Sequence, residues 1–297
     1  MKLEKPIFTG AAVAIVTPFD KYGNVNYPKL AELIDYQIEN GTDAIVICGT
    51  TGEGSALDFV EHVRAVEFGV KHIAGRVPVI AGAGSNDTAF AVKISNALEA
   101  AGVDALLSVT PYYNKTSQSG LIRHYTYIAD RVSHPLIVYN VPSRTGVNIK
   151  PETYAELAKV NRICAVKEAN GDIASVAKTI SLVGDQLDID SGNDDQITAI
   201  MALGGKGVIS VLSNVCPRET HEIAQKALDG DIKGSAELQI KYMELIGGLF
   251  SDVNPIPVKE ALNMMGWKVG DPRMPLDTMS ASGHAALEKI LKKYDLI

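Results

Sequence analysis

The chain of 297 residues has few of the side chains from which disulfide frameworks and metal centres are built. Its three cysteines, Cys48, Cys164 and Cys216, are widely spaced and form no Cys-x-x-Cys pair, and its six histidines show no metal-ligand spacing. Neither a disulfide framework nor a zinc site follows from such a set. The thiols are therefore expected to be structural, and no metal is expected.

A surplus of positive charge and a long apolar run are also missing. The formal net charge is −7 and the isoelectric point lies near 5.4. This balance argues against nucleic acid as the main partner, because phosphate binding needs a basic face. No window approaches the length of a membrane-spanning helix, and the charged N-terminus lacks the apolar stretch of a signal peptide. We therefore expect a cytoplasmic protein without nucleic-acid or membrane partners.

Phosphate-binding glycine loops are missing as well. After the first apolar run the chain has Thr17-Pro18-Phe19-Asp20 where a glycine-rich loop would stand. Gly82-Ala83-Gly84 lacks the third glycine of a dinucleotide fingerprint. Gly204-Gly205-Lys206 precedes a strand and lacks the Ser or Thr that follows the lysine of a Walker motif. The sequence therefore gives no indication of a nucleotide cofactor.

The chain does contain a regular alternation of short apolar runs and longer amphipathic segments. The runs predict eight strands, at residues 11–17, 44–48, 77–81, 105–109, 136–139, 163–167, 187–190 and 207–211. Eight strands, each followed by a helix, imply parallel pairing and predict a TIM (β/α)8 barrel, with an open doubly wound sheet as the alternative. The barrel is expected over residues 1–230. A C-terminal helical extension is expected over 231–297, with helices near 232–250, 257–265 and 278–294.

Lys167 is the most informative single residue, because it ends the apolar run 163–166. Burial opposes the ammonium form, so a lysine at the mouth of a dry core becomes a neutral amine near neutral pH. A neutral amine forms Schiff bases with carbonyl compounds. Taken alone, a lysine that snorkels from a strand end is the commoner alternative. In a barrel, however, the chemistry lies at the C-terminal ends of the strands.

The other strand ends carry hydroxyls, phenols and one guanidinium. Gly49-Thr50-Thr51-Gly52 predicts a tight turn before a helix, where amides and hydroxyls suit a small carboxylate. Tyr139 ends a strand and could pass a proton together with a threonine and a second tyrosine. Arg144 could hold a carboxylate through a bidentate pair. The plainer alternatives are a helix-capping turn, a boundary tyrosine and a solvated arginine.

Together these motifs resemble the pyruvate-dependent class I aldolase and lyase family, which includes N-acetylneuraminate lyase. The resemblance runs from about Gly10 to the C-terminus. It is carried, in this order, by Gly49-Thr50-Thr51-Gly52-Glu53, Thr110-Pro111-Tyr112-Tyr113-Asn114, Tyr139-Asn140-Val141-Pro142-Ser143-Arg144-Thr145-Gly146, Val166-Lys167-Glu168 and Asn254-Pro255-Ile256-Pro257-Val258-Lys259. It implies a lyase that condenses pyruvate with L-aspartate 4-semialdehyde to 4-hydroxy-tetrahydrodipicolinate, the first committed step of diaminopimelate and lysine synthesis. No metal or organic cofactor is implied.

The resemblance also implies a role for each site residue. Lys167 is expected to form the pyruvate Schiff base, and Thr50 and Thr51 to hold the pyruvate carboxylate. Thr51, Tyr139 and Tyr113 are expected to form a proton relay. In that relay Tyr113 reaches in from a neighbouring subunit of a homotetramer built from dimers.

Three further positions complete the implied site. Arg144 is expected to orient Tyr139 and to receive the carboxylate of the aldehyde substrate. Gly192 and Ile209 are expected to supply backbone groups. Two alternatives stay open: a pyruvate aldolase that acts on a sugar acid, which the Thr50-Thr51 and Ser143-Arg144 pairs disfavour, and a barrel that only binds 2-oxo acids.

Regulation is where the chain departs from the family pattern. Lysine-inhibited members are expected to bind lysine at a dimer interface through a serine, a histidine and an acid. Those positions hold Gly54, Phe59 and Phe90 here, although Tyr112, His62 and Asn86 remain. The ammonium of a bound lysine would lose its counter-charge, so little or no feedback inhibition is expected.

Overall fold

The fold is a closed parallel barrel, seen in a computed structural model that describes residues 5–297. Each strand pairs in parallel with the next along the chain, and the last pairs with the first. The strands are β1 (Gly10–Ala14), β2 (Ala44–Ile47), β3 (Val79–Gly82), β4 (Ala105–Val109), β5 (Leu136–Asn140), β6 (Ile163–Glu168), β7 (Asp188–Ser191) and β8 (Gly207–Ser210). The predicted TIM barrel is confirmed. Residues 1–4, to which the signal-peptide expectation refers, lie outside the described residues.

Helices surround this barrel and continue beyond it. They are α1 (Tyr27–Glu39), α2 (Phe59–Ile73), α3 (Thr88–Ala100), α4 (Gln118–Ala129), α5 (Pro142–Thr145), α6 (Pro151–Leu157), α7 (Ile173–Val183), α8 (Ile197–Ala202), α9 (Pro217–Leu228), α10 (Ile232–Leu249), α11 (Ile256–Met264) and α12 (Ala281–Lys293). The last three are the helices predicted for the C-terminal extension. Within residues 5–297, none of the helices is both long and apolar enough to cross a membrane.

Local sequence explains where the elements begin and end. Helix α2 begins at a capping box, in which the Asp58 carboxylate accepts from the Glu61 amide and the Glu61 carboxylate accepts from the Asp58 amide. Strand β1 is shorter than predicted. The Val16 amide donates to the Asn214 side chain at 3.1 Å instead of to a neighbouring strand, and Pro18 has no amide hydrogen to donate.

The core has two layers because side chains alternate between the two faces of each strand. Large aliphatic residues lie between the strands and the helices. Inside the barrel many side chains are small, including Ala12, Ala14, Ala44, Ala105 and Ala165. Small interior residues leave space at the mouth for longer side chains, and that is where the candidate site lies.

The C-terminal extension is fastened to the barrel mouth by a buried ion pair. The ammonium of Lys259 donates to Glu53 Oε1 at 2.8 Å and to the Thr17 carbonyl at 3.1 Å. The second oxygen of Glu53 accepts from the Arg273 amide at 2.8 Å. Glu53 belongs to the turn that follows β2, so the extension and this turn are held together.

Candidate active site

Lys167 and Tyr139 lie side by side on neighbouring strands. They are partners in the β5–β6 register, and the Lys167 Nζ atom is 4.4 Å from the centre of the Tyr139 ring. Both side chains are buried, Lys167 with 5% of its surface exposed. The pair stands at the C-terminal ends of its strands, as the strand-end argument predicted.

The electrostatic setting of Lys167 favours its neutral form. Burial lowers its pKa from 10.5 to about 8; the Asp194 carboxylate opposes this shift, and the Arg144 guanidinium adds to it. Burial also raises the pKa of Asp194. One Asp194 oxygen accepts from the amides of Val211 and Leu212 at 3.0 and 2.8 Å. Sequence reasoning missed Asp194, which stands only three residues after the end of β7.

Tyr139 needs a partner before it can move a proton. Burial raises its pKa to about 12, while Arg144 and the Thr50 side chain, which lies within hydrogen-bonding reach of the phenol, oppose the shift. The sequence had placed Thr51 in this relay. In the structure Thr50 lines the same cavity as Tyr139 and lowers the pKa of the phenol, while the Thr51 hydroxyl accepts from Asn254 Nδ2 at 2.9 Å. The two threonines therefore have different neighbours, although they are adjacent in the turn.

The turn that carries these threonines has an unusual backbone. Cys48 and Glu53, on either side of it, have φ of 55° and 52°, in the left-handed region that non-glycine residues rarely adopt. Such strain concentrates at functional sites, where the surroundings hold it in place. The buried ion pair of Glu53 with Lys259 is part of that support.

A cavity of about 420 Å³ opens beside this pair. Thr50, Tyr139 and Arg144 contribute to its wall, and so do the aromatic residues Phe59 and Phe90. This volume is in the range that small-molecule sites occupy. Lys167 does not line the cavity, but its ammonium group contacts the Tyr139 ring, which does.

Arg144 is held at the cavity by the C-terminal extension. It lies in the single turn of α5, which Pro142 begins and Gly146 ends with a φ of 69°. Its Nη2 donates to the Asn254 carbonyl at 3.1 Å, while the rest of the side chain is exposed. A guanidinium in this position can receive a carboxylate from the cavity.

Gly192 lies against Lys167, and Ile209 lies in the barrel interior with Tyr139; their contribution of backbone groups stays a prediction. A Cβ atom on Gly192 would come within 2.8 Å of the Ala169 Cβ and 3.1 Å of the Lys167 Cγ. Only glycine therefore allows this loop to approach the lysine so closely. Ile209 is buried inside the barrel in the same apolar cluster as Tyr139.

Behind the lysine, Glu168 joins the ends of β5 and β6. Its carboxylate accepts from the Asn140 side chain at 2.9 Å, the Tyr154 hydroxyl at 2.7 Å and the Asn170 amide at 2.9 Å. Burial raises the pKa of Glu168 to about 7, against the effect of these donors. The network fixes the two strands that carry Tyr139 and Lys167.

Tyr113 is the predicted site residue that the single chain does not bring to the site. Its side chain is 89% exposed, and it does not line the cavity. Its φ of 69° is again in the left-handed region. The backbone therefore holds a bare phenol outward from the barrel mouth at a conformational cost.

Comparisons with known proteins agree with this geometry. A protein of Lachnoclostridium phytofermentans named 4-hydroxy-tetrahydrodipicolinate synthase is 54% identical over 98% of this chain and 99% of the relative. A protein of the same name from Thermoanaerobacter sp. is 52% identical over 98% of each chain. The crystal structure of dihydrodipicolinate synthase from Aquifex aeolicus superposes with a TM-score of 0.95, at 42% identity, over 97% of this chain and 99% of that one.

The match to a family model is equally extensive. The model of the dihydrodipicolinate synthetase family matches residues 7–294, which include the barrel and the helical extension. This agrees with the resemblance that the strand-end motifs indicated. The chain belongs to the dihydrodipicolinate synthetase family.

Proposed function

We propose that this protein condenses pyruvate with L-aspartate 4-semialdehyde, through a Schiff base on Lys167, to give 4-hydroxy-tetrahydrodipicolinate. The observation that carries the proposal is a buried lysine with a pKa of about 8 against the ring of a buried tyrosine at the barrel mouth. The names of the relatives at 54% and 52% identity support the same reaction.

The chemistry begins with the neutral amine. Lys167 attacks the ketone carbon of pyruvate, and loss of water gives an iminium. The iminium withdraws electrons from the adjacent methyl group, so a proton leaves and an enamine forms. The enamine carbon attacks the aldehyde carbon of the second substrate. The amino group of that substrate then displaces Lys167 as the ring closes, which frees the amine and leaves one water as the net by-product.

Each protein group has a task in these steps. Tyr139 and Thr50 carry protons to and from the reacting centre, with the phenol as the donor to the departing hydroxyl. Thr51 and the amides of its turn hold the pyruvate carboxylate. Arg144 receives the carboxylate of the aldehyde substrate. Gly192 and Ile209 contribute backbone groups beside Lys167.

Reduction with borohydride tests the central step. Borohydride converts the iminium to a stable amine, so pyruvate should leave one reduced adduct on Lys167, located by peptide mass spectrometry. Lys167→Arg is the control, because a guanidinium does not deprotonate to attack a carbonyl. The second substrate then distinguishes the two enzymes. Turnover with L-aspartate 4-semialdehyde indicates the condensation proposed here, and turnover with an aldose indicates a sugar-acid aldolase. No adduct in the wild-type protein would exclude both.

Assembly is a second part of the proposal. We infer a homotetramer built from dimers, in which Tyr113 of one copy completes the proton relay of another. The exposure of the Tyr113 side chain and its strained backbone support this arrangement. Tyr113→Phe should lower activity without dissociating the oligomer, and dilution to monomers should have the same effect. A fully active monomer, identified by sedimentation beside kinetics, would contradict it.

A cytoplasmic location belongs to the same proposal. Cys48, Cys164 and Cys216 are free thiols in the structure. A reducing compartment keeps thiols in this state.

A further inference from the structure

One residue of the C-terminal extension contacts both carboxylate-binding groups. Asn254 donates from Nδ2 to the Thr51 hydroxyl oxygen at 2.9 Å and accepts at its carbonyl from Arg144 at 3.1 Å. Its side chain is buried, with 6% of the residue exposed. We propose that Asn254 is a positioning residue for substrate binding, which orients the Thr51 hydroxyl toward the carboxylate of pyruvate. This inference rests on the proposed function.

The Thr51 hydroxyl can make only a limited number of hydrogen bonds. A threonine hydroxyl has one proton to donate and two lone pairs that accept. The amide of Asn254 occupies a lone pair of Thr51 and leaves the proton free. Thr51 is 2% exposed, and within residues 5–297 no acceptor for its proton is found. A substrate carboxylate in the site would be that acceptor, and a bond from a neutral donor to a charged oxygen is among the stronger ones.

The position of Asn254 is fixed because the extension is bonded to the turn 50–53 at a second residue as well. Five residues after Asn254, Lys259 is paired with Glu53, two residues after Thr51. The extension thus contacts the turn 50–53 through the hydrogen bond to Thr51, through a buried ion pair with Glu53, and through the Arg273 amide, which also donates to Glu53. Because the Asn254 amide is already ordered, none of the binding energy of the substrate is lost in ordering it.

The Asn254 side chain itself points to this role. Its Oδ1 is buried and has no hydrogen-bond partner among residues 5–297. A buried amide oxygen without a partner lowers the stability of the folded chain. The unpartnered Oδ1 does not help to hold the extension in place. The hydrogen bond from Asn254 Nδ2 to the Thr51 hydroxyl does explain why the position carries an amide side chain.

A side-chain substitution separates the two contacts of Asn254. The carbonyl that accepts from Arg144 belongs to the backbone, so Asn254→Ala keeps it and removes only the bond to Thr51. The pyruvate concentration that gives half of the maximal borohydride adduct should rise roughly tenfold, the effect of one lost hydrogen bond. The KM for the aldehyde substrate should change less than twofold. Asn254→Asp, which keeps the size of the side chain and removes the donor, should shift the pyruvate dependence in the same direction.

Two controls distinguish positioning from simple loosening of the extension. Asn263→Ala removes another asparagine of the extension, a half-buried one, whose side chain accepts from the Val269 amide and donates to the Gly270 carbonyl. It should lower the unfolding temperature without changing the pyruvate dependence. In a Thr51→Val background the effect of Asn254→Ala should disappear, because the group through which it acts is already gone. The half-maximal concentration is read on folded molecules alone, since only these form the adduct.

The outcomes separate this inference from the proposed function. A wild-type protein that forms no adduct overturns both. A wild-type adduct with an unchanged pyruvate dependence in Asn254→Ala and Asn254→Asp overturns the role of Asn254 alone. The same shift in the Thr51→Val background also overturns it. A shift that appears only when Thr51 is present supports it.

Discussion

Two lysines are buried at the same end of this barrel, and their ammonium groups have different surroundings. Lys167 is the second-last residue of β6, and Lys259 lies in α11 of the extension. Both are almost inaccessible, with 5% and 1% of the residue exposed. Both also contact an aromatic ring, since the Lys259 ammonium lies 4.2 Å from the centre of the Phe19 ring.

The difference lies in their partners. Lys259 has a carboxylate at 2.8 Å and two carbonyl oxygens at 3.1 Å, so its ammonium form is well satisfied. Among residues 5–297 no carboxylate lies within ion-pair distance of Lys167, and the nearby Arg144 charge further lowers its pKa. Burial lowers the pKa of both lysines, but for Lys259 the Glu53 carboxylate opposes the shift. Burial alone therefore does not set the charge state of a lysine, and among residues 5–297 the lack of a carboxylate within ion-pair distance is what distinguishes Lys167 from Lys259.

The largest expected effect is the loss of activity when Lys167 is replaced. Lys167→Met or Lys167→Arg should lower kcat by at least about a thousandfold, because the covalent step has no substitute. Circular dichroism should show an intact fold. Lys259 is the internal control: after borohydride reduction with pyruvate it should carry no adduct. An adduct on Lys259, or substantial turnover in either Lys167 variant, would remove the distinction between the two lysines.

The second prediction reverses the comparison and concerns stability. Lys259→Met leaves the Glu53 carboxylate buried and unpaired, so the free energy of unfolding should fall by about 3–5 kcal/mol. Lys167→Met should be neutral or slightly stabilising, since it removes a buried charge without an ion-pair partner. Urea unfolding measures both. The double variant Glu53→Gln/Lys259→Met should regain much of the loss, and equal losses in Lys167→Met and Lys259→Met would contradict the assignment.

The third prediction uses pH. Because only the neutral amine attacks, the rate of adduct formation should rise about tenfold per pH unit below pH 8 and level off above it. Stability should follow the same group. The pKa of Lys167 is lower in the folded chain, about 8, than its ordinary 10.5, so the unfolded chain binds more protons between these values and stability rises with pH there.

The matched variant isolates this contribution from the other titrating groups. Relative to Lys167→Met, the wild-type protein should be least stable below pH 8 and should approach the variant as the pH rises toward 10.5. Unfolding measured at several pH values tests the sign. A difference that grows with pH would mean that the folded state holds Lys167 as a stabilised ammonium, like Lys259.

The smallest expected effect is that of free lysine on activity. At the positions of the expected regulatory site, Phe59 and Phe90 contact edge to face with ring centres 6.3 Å apart. The ammonium of Lys93 already lies 4.6 Å from the centre of the Phe59 ring. A Cβ at Gly54 would meet the Cys48 carbonyl at 2.2 Å. Lys93 would repel a second ammonium here. Lys259 has a carboxylate as its counter-charge, whereas among residues 5–297 no acidic side chain lines the cavity at Phe59 and Phe90.

Titrating lysine into the coupled assay tests this expectation. Activity should change little up to millimolar lysine. Strong inhibition at sub-millimolar concentrations would show that an acidic group from elsewhere pairs with the ligand.

Much of the site was readable from the sequence because strand ends in a parallel barrel converge. Lys167 and Tyr139 lie at the C-terminal ends of their strands and the turn 49–52 follows β2, so knowing the strands was enough to bring them together. The end of strand β1, by contrast, was predicted too far along the chain. An apolar run indicates burial, but it does not tell whether an amide bonds to a strand or to the Asn214 side chain.

The order of the eight strands, the helices of the extension and the place of Lys167 near the end of β6 follow from local patterns of apolar residues, and the sequence was sufficient to predict them. Only the folded chain shows that Thr50, and not Thr51, lies at the Tyr139 phenol. The same holds for Asp194, whose charge raises the pKa of Lys167. The folded chain also shows that Asn254 meets Thr51 across 203 positions of sequence. These contacts depend on the direction of single side chains in turns and on long-range closure of the chain. Neither leaves a periodic pattern in the sequence.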